Sequence, residues 1–537
     1  MEQRPTAGYL RGIATEVSWL IVILFIAIGF YSIAAPPPNE AAAPDTFSAG
    51  AAMQHVLVIA QEPHPMGTPE IAEVREYIVA ELGRLGIEPE LQQTQAPDPF
   101  FDPGGIVDIT NIVARIPGQG GEAAVALMAH YDTMPTTPGA NDNSAAVAVL
   151  LETAKVMLSG DPVGNDVILL FTDGEEPWPR FGSPAFIQEH PDAGDIGFVV
   201  NFEAAGGSGP SMVAEISGAE SWIIDQYSEA VDRPVAFSFA TEIVRTMGEI
   251  GTDFDPFRNA GVPGLHLAYM RGSPIYHTPA DNIDAVSLRS LQHHGDNAVG
   301  VVRHFGNLDL ARPRTDSSNV YFTLRPMFMK YPAWFGWPIL TVGAGLVMLA
   351  ARRRALSPTR MLAATGTTLL AAIAASIVGT LLWIAITIVR ETPTVLEAYG
   401  YLAIVGGIVI WLTNRATRRF EPQGTGAAAA LVWLLLGLLT VAALPGTSYL
   451  FVWPVLGLGI ALNLQSNSRT RLVAFVLTTA ITVPLLVPAI EFFWQFGQPR
   501  PGNPDSSLPA VAAVAFLLVA LAGAALRSVW WRPVNLD

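Results

Sequence analysis

The sequence predicts two fold classes in one chain: an α/β domain with a mixed, mostly parallel sheet sandwiched by helices, and an α-helical multi-span membrane domain. Three observations carry this. Between residues 50 and 310 the runs "AAVALMAH", "DVILLFTD", "GFVVNFEA" and "GVPGLHLAY" are continuously apolar and interleave with amphipathic stretches, the pattern of parallel strands covered by helices on both faces. After about residue 331 the chain becomes a succession of apolar segments, most of them near the roughly 20 residues a span requires. The charge divides along the same line. Residues 36–330 hold 39 Asp+Glu against 15 Lys+Arg, a net of −24, and the remainder holds 8 against 15, a net of +7.

In chain order, the first element is the apolar run Val17–Ala35, which ends at Pro36-Pro37-Pro38. It is long for the centre of a cleavable signal, so it reads as an uncleaved anchor. "EIAEVREYIVAELGRLGI" has apolar residues at helical spacing, with Gly86 as its stop. The four apolar runs follow as buried strands. Segments at roughly 333–351, 361–389, 398–413, 427–444, 448–465, 472–490 and 508–526 then predict seven further spans, eight in all. With the N-terminus inside, the cytoplasmic pieces carry thirteen arginines, among them Arg352–Arg354, Arg415, Arg418, Arg419, Arg469, Arg471 and Arg527, whereas the short outer loops carry only Arg390 and Arg500. That asymmetry places the acidic body outside the cytoplasm, and Tyr331, Trp334, Phe335 and Trp337 stand where an interfacial aromatic belt belongs. The expected organisation is a cytoplasmic tail and anchor over 1–35, an extracytoplasmic domain over 36–315, a linker over 316–332, and a membrane domain of about seven helices over 333–537.

Composition excludes several functions. An acidic body cannot neutralise phosphates, so nucleic acid is not an expected partner. There is no cysteine, so any metal must use histidine and carboxylate ligands. No Asn-x-Ser/Thr sequon occurs and Arg far outnumbers Lys, which fits a bacterial inner membrane facing the periplasm or exterior. Ion-coupled transport finds little support, because buried ionisable groups mark such pathways. After residue 330 the acidic residues Glu391, Glu397, Glu421, Glu491, Asp505 and Asp537 fall in loops or at span ends, and no histidine follows His304. Anchor or scaffold is the expected role of the membrane half.

The polar residues of the acidic body gather at one end of its strands. His130 and Asp132 follow the first strand; Asp173, Glu175 and Glu176 follow the second. Glu203 ends the third, and His277 lies on the loop after the fourth. Ligands of open α/β sheets bind beyond the carboxyl ends of the strands. Each piece alone has an ordinary explanation. His130 and Asp132 make a plausible loop pair, Asp142 suits a helix N-cap, and "DGEE" suits a solvated turn. Glu203 is harder to dismiss, since a carboxylate closing an apolar run needs a partner. His55, His64, His190, His266, His293, His294 and His304 are read as structural or exposed.

Together, "HYDT…GANDNSAA", "FTDGEE", "NFEAAG" and "GTDFDPFRNAGVPGLHLAY…YHTPADNID" resemble the co-catalytic zinc aminopeptidase family, which also includes glutamate carboxypeptidase-like enzymes and glutaminyl cyclases. The likeness covers roughly residues 50–305. One span before the domain and several after it resemble the branch of endoplasmic reticulum metallopeptidase and fungal vacuolar membrane protease. The resemblance implies a zinc-exopeptidase-like fold and two zinc ions: His130 and Glu203 on one, Glu176 and His277 on the other, Asp142 bridging. It further implies that Asp132 orients His130 and that Glu175 is the general base. The expected activity is that of a membrane-anchored zinc exopeptidase, most simply an aminopeptidase, acting on peptides outside the cytoplasm. A carboxypeptidase or glutaminyl cyclase of the same fold, or a catalytically idle membrane scaffold, are the alternatives. Tyr276 is the candidate oxyanion donor. The "PWPRFG" loop and the segment 240–258 are candidate pocket walls, with Arg180, Arg245 and Arg258 expected mainly in ion pairs.

Overall fold

A computed structural model describes residues 7–39, 43–102, 104–176, 179–312, 314, 316–390, 393–420, 422–464, 467–498 and 508–530. The chain begins with helix α1 (Ala7–Ser32) and then builds a sheet-centred domain. Helices α2 (Ala49–Ile59) and α3 (Pro69–Arg84) precede strands β1 (Glu90–Pro97), β2 (Ile106–Ile116) and β3 (Ala124–His130). Helix α4 (Ala146–Ser159), β4 (Asp166–Thr172), α5 (Gly182–Glu189), β5 (Ile196–Ala204) and β6 (Met212–Ser217) follow. Then come α6 (Glu220–Ala230), α7 (Ser238–Met247), α8 (Phe254–Asn259), β7 (Gly264–Tyr269) and α9 (Leu288–Phe305). The strands form one seven-stranded sheet in the order β1-β2-β4-β3-β5-β7-β6. Strands β4, β3, β5 and β7 are mutually parallel, while β1 and β2 at one side and β6 at the other are antiparallel. The four parallel strands are the four continuous apolar runs.

Side-chain alternation along each strand divides the core into two layers. Val125, Leu127 and Ala129 of β3 join Leu169, Val200 and Leu267 under α2, α3, α4, α6 and α9. Ala124, Ala126 and Met128 point the other way, with Ile168, Leu170 and Val199, and pack under Phe186 of α5 and Phe254 and Phe257 of α8. Strand β3 is buried along its whole length, so its direction, and hence the position of His130 at its end, is set by packing on both faces.

The segment 316–332, expected as a linker, is instead an antiparallel hairpin of β8 (Asn319–Leu324) and β9 (Met327–Pro332). Its Phe322 stacks on Tyr449 of the helical region. That region contains α10 (Gly336–Arg353), α11 (Pro358–Val389), α12 (Val395–Ala416), α13 (Pro422–Ala443), α14 (Tyr449–Leu464), α15 (Ser468–Phe496) and α16 (Leu508–Val529). With α1, seven helices among the described residues are long and apolar enough to cross a membrane. The eighth, α14, has only 16 residues and contains Pro454, about 24 Å of helix at 1.5 Å per residue.

The sheet domain sits on one end of this bundle. Ser238 Oγ donates to Gly446 O in the turn before α14. The buried Glu242 carboxylate accepts from Gly446 N, Thr447 N and Thr447 Oγ1, at 3.1, 2.8 and 2.8 Å. Phe239 packs against Phe492 and Phe493 near the end of α15. Arg352–Arg354, Arg415 and Arg469–Arg471 lie at the opposite ends of α10, α12 and α15.

Candidate metal centre

Four neighbouring strand ends deliver the site. β3 closes with His130 at the same level as Thr172 of β4, and β5 places Glu203 beside Ala268 of β7. Asp142 comes from the loop between β3 and α4. Its carboxylate does not cap the helix, which begins at Ala146 without a side-chain cap. The Asp142–Asn143 peptide is cis. Gly139 allows the loop to turn: its φ is +64°, and a Cβ there would lie 2.4 Å from Thr133 Cγ2 and 2.5 Å from Asp142 O. Only glycine meets both demands.

Asp142 stands between two groups. His130, Asp142 and Glu203 offer ligand atoms within 4.8 Å of one another, and so do Asp142, Glu176 and His277. His130 Nε2 lies 3.3 Å from Asp142 Oδ1 and 3.4 Å from Glu203 Oε2. His277 Nε2 lies 3.4 Å from Asp142 Oδ2 and 3.0 Å from Glu176 Oε2. Glu175 belongs to neither triad, and its Oε2 is 4.0 Å from His130 Nε2.

Asp132 ties the two motifs together. Its Oδ1 accepts from Glu175 N at 3.0 Å and its Oδ2 from Glu176 N at 3.1 Å. His130 Nδ1 lies 3.1 Å from the Asp132 carbonyl oxygen and 3.5 Å from Oδ1. The backbone carbonyl is therefore the nearer acceptor for the imidazole, and the carboxylate chiefly fixes the Glu175-Glu176 backbone. His277 has a left-handed backbone, φ +59°, and Tyr276 stacks on its ring at 3.7 Å.

The electrostatics call for added positive charge. Burial raises Glu176 to about 7, with Asp142 adding to it. Burial likewise lifts Glu175 well above the usual carboxylate range, and Glu203 and Asp253 reinforce it against the pull of His130. Burial opposes charge on both imidazoles, yet the carboxylates prevail. Glu203 and Glu175 hold His130 well above its ordinary value, and Glu176 and Asp142 bring His277 to about 10. Such a cluster gathers protons or a metal cation. Two imidazoles and three carboxylates, with no thiolate, are a donor set that zinc accepts. Asp142 Oδ2, Glu176 Oε1 and His277 Nε2 are buried atoms without a hydrogen-bond partner among the described residues, which leaves lone pairs for a metal.

Two participants, Asp281 and Asp253, have no individual signal in the sequence, and Arg180 joins them from the candidate pocket wall. Asp281, 1% exposed, accepts from Asn141 N, Asn141 Nδ2 and Asp142 N at 2.9, 2.7 and 3.1 Å. Asp253 is fully buried and accepts from Ser183 Oγ and Thr172 Oγ1. Arg180 reaches Glu175 Oε1 at 3.3 Å and Asp255 Oδ2 at 3.8 Å, so of the three arginines it alone touches the site. Arg245 pairs with Glu220 and Arg258 with Glu215 and Asp255. Asp281 and Asp253 lie in motifs already noted, but their roles depend on partners distant in sequence. Pro177 and Trp178 of the candidate wall lie outside the described residues. Three other histidines belong to neither triad: His294 bonds Ser211 and the Glu203 carbonyl, His266 meets Asn201, and His64 Nδ1 meets Glu62 O.

The chain is 33% identical over 260 residues to mouse (Mus musculus) endoplasmic reticulum metallopeptidase 1, covering 47% of this chain and 29% of that protein. It is 29% identical over 248 residues to the vacuolar membrane protease of Candida dubliniensis, covering 44% of this chain and 25% of that one. The chain thus spans less than a third of these curated relatives. Among solved structures it is similar to an aminopeptidase from Aneurinibacillus sp. strain AM-1, at 13% identity and a TM-score of 0.40, covering 52% of this chain and 97% of that one. The family model "Peptidase family M28" matches residues 111–302, the stretch holding His130, Asp132, Asp142, Glu175, Glu176, Glu203 and His277. Residues 111–302 are a peptidase family M28 domain.

Proposed function

We propose that the chain is a membrane-anchored, zinc-dependent exopeptidase, an aminopeptidase acting on peptides outside the cytoplasm. The observation that carries this reading is the pair of triads sharing Asp142, with Glu175 beside them but in neither. His130 and Glu203 would hold one zinc ion, Glu176 and His277 the second, and Asp142 both. Two zinc ions, when bound, supply Lewis acidity toward the scissile carbonyl and acidify water in the cleft.

The chain's own residues supply the rest. Glu175 Oε2 takes the proton of the attacking water and returns it to the leaving amine, the work of a carboxylate whose proton affinity burial has raised. Arg180, on Glu175 Oε1, orients that carboxylate so that Oε2 is the free oxygen. Asp132 holds the Glu175-Glu176 backbone, so base and ligand move as one unit. Asp132, Asp142, Glu175, Glu176, Glu203 and Asp253 together outnumber the charge of two zinc ions, which suits a substrate's α-ammonium group.

The orientation rests on the thirteen-to-two arginine asymmetry and on the domain's seat at the bundle end away from Arg352–Arg354. The test is zinc per chain on detergent-purified protein, with hydrolysis of free-amine and N-blocked fluorogenic peptides and Glu175→Gln run alongside. About two zinc ions with free-amine cleavage lost in the variant is the expected result. Cleavage of blocked peptides alone would establish a carboxypeptidase, and one zinc with glutaminyl cyclisation a cyclase. A metal-free, inactive protein would refute the reading.

A further inference from the structure

We propose that the end of α15 is a positioning element for His277, with Glu491 and Gln495 holding the Arg271–Ser273 segment that leads into the ligand loop. This rests on the reading of His277 as a metal ligand.

The chain leaves β7 at Tyr269 and reaches His277 eight residues later. In between it is gripped by the helical region. Arg271 donates through Nε and Nη2 to Glu491 Oε1, at 2.8 and 2.6 Å. Tyr399 of α12 donates its hydroxyl to the same oxygen at 2.9 Å. Gly272 N donates to Gln495 Oε1 at 3.2 Å, and the fully buried Ser273 donates its hydroxyl to Gln495 O at 2.7 Å. Gln498 Nε2 donates to Gln495 Oε1 at 2.7 Å, fixing the amide that receives Gly272. Three consecutive residues are thereby fastened to one turn of α15.

The ligand loop needs such a hold. A histidine in the left-handed region persists only where its surroundings over-determine it, and His277 sits at φ +59°. Downstream, Asp281 fastens the loop to Asn141 and Asp142. Upstream, Arg271 pairs its backbone with Ser208, and α15 adds the hydrogen bonds to Arg271, Gly272 and Ser273. The ion pair is well shielded, with Arg271 and Glu491 side chains 22% and 8% exposed, so removing one partner leaves a buried charge uncompensated. It also gives the one buried carboxylate of α15 a role: Glu491 serves the sheet domain rather than an ion path.

The test uses the full-length protein in detergent. Zinc affinities are measured by competition with a chromophoric chelator for wild type, Glu491→Gln, Gln495→Ala and the swap Arg271→Glu/Glu491→Arg. Glu242→Gln, at the other contact between domain and bundle, is the control, and melting of the metal-free proteins reports folding. Glu491→Gln and Gln495→Ala are expected to weaken one of the two zinc ions by about 10–100-fold, as loss of outer support does, and to leave the other unchanged. The swap should restore part of that loss, and Glu242→Gln should behave as wild type. Two wild-type affinities in both Glu491→Gln and Gln495→Ala would overturn the proposal, as would equal weakening by Glu242→Gln. If His277→Ala binds as much zinc as wild type, the metal-centre reading itself fails. Should Glu491→Gln not fold, Gln495→Ala decides, since it removes an amide and no charge.

Discussion

Replacing Asp281 by asparagine tests how the shared ligand is held. The Asp281 carboxylate takes three hydrogen bonds from Asn141 and Asp142 at 2.7–3.1 Å, and burial raises its pKa to about 6. An amide keeps one accepting oxygen but turns an NH2 group toward a backbone N–H, so two donors face a donor. Losing charge-assisted bonds at a buried site and leaving a donor unpaired costs about 2–4 kcal/mol. Because the bond lost is the one from Asp142 N, the cost falls on the residue common to both triads. Asp281→Asn should weaken both zinc ions, each by about 10–100-fold, whereas His277→Ala should remove one. Chelator competition on purified protein separates the two outcomes, and melting with saturating zinc reports the stability loss. Unchanged affinity for both ions would refute the claim that Asp281 shapes the Asp142 loop.

Other expectations follow from the same geometry. Glu175→Gln should keep zinc while hydrolysis falls about 10²–10⁴-fold, the usual worth of a general base, read by metal analysis beside peptide turnover. His130→Ala and His277→Ala should each bind about one zinc ion per chain. Gly139→Ala, which sets a Cβ 2.4 Å from Thr133 Cγ2 in a left-handed backbone, should lower the melting temperature and weaken both ions. His293 accepts from Ser211 N and lies 2.9 Å from Arg233 O; burial, aided by Arg325 and Arg233, lowers it to about 4. Its folded pKa lies below the ordinary 6.5, so its stabilising contribution is complete above pH 6.5 and fades as pH falls toward 4, at about 1.4 kcal/mol per unit. Relative to His293→Gln, wild type should lose about 2 kcal/mol between pH 7 and 5, measured as a narrowing gap in melting temperature.

What could be read from sequence was what packing writes into local pattern. Strands β3, β4, β5 and β7 lie between two helical layers, so each is buried on both faces and predominantly apolar, and stands out. Their C-terminal ends are where polar residues resume, which is why His130, Glu175, Glu176 and Glu203 could be found. Edge strands follow a different rule. β1, "ELQQTQAP", is half-exposed and largely polar, and nothing local marks it as a strand. The hairpin of β8 and β9 has no local signature either, because its partners, Phe237 and Tyr449, come from remote parts of the chain. Asp281 and Arg271 have the same history: a loop acid and a loop arginine acquire roles only from Asn141 and Glu491, 140 and 220 residues away. The helix α14, at 16 residues, belongs to the bundle through its neighbours rather than through its length.

The distance between Arg271 and Glu491 also bears on how the protein is made. A ribosome adding about 5–20 residues per second needs about 10–45 s to go from one partner to the other, a separation of 220 residues. Ser238 waits comparably long for Gly446, 208 residues on. During that interval the sheet domain is already synthesised, while Phe239, Glu242 and Arg271 still lack the surfaces that cover them. Its last assembly step therefore follows insertion of α13 to α15, and a nascent chain stalled before α15 would present an acidic, aromatic and cationic face to the translocation and quality-control machinery at the membrane.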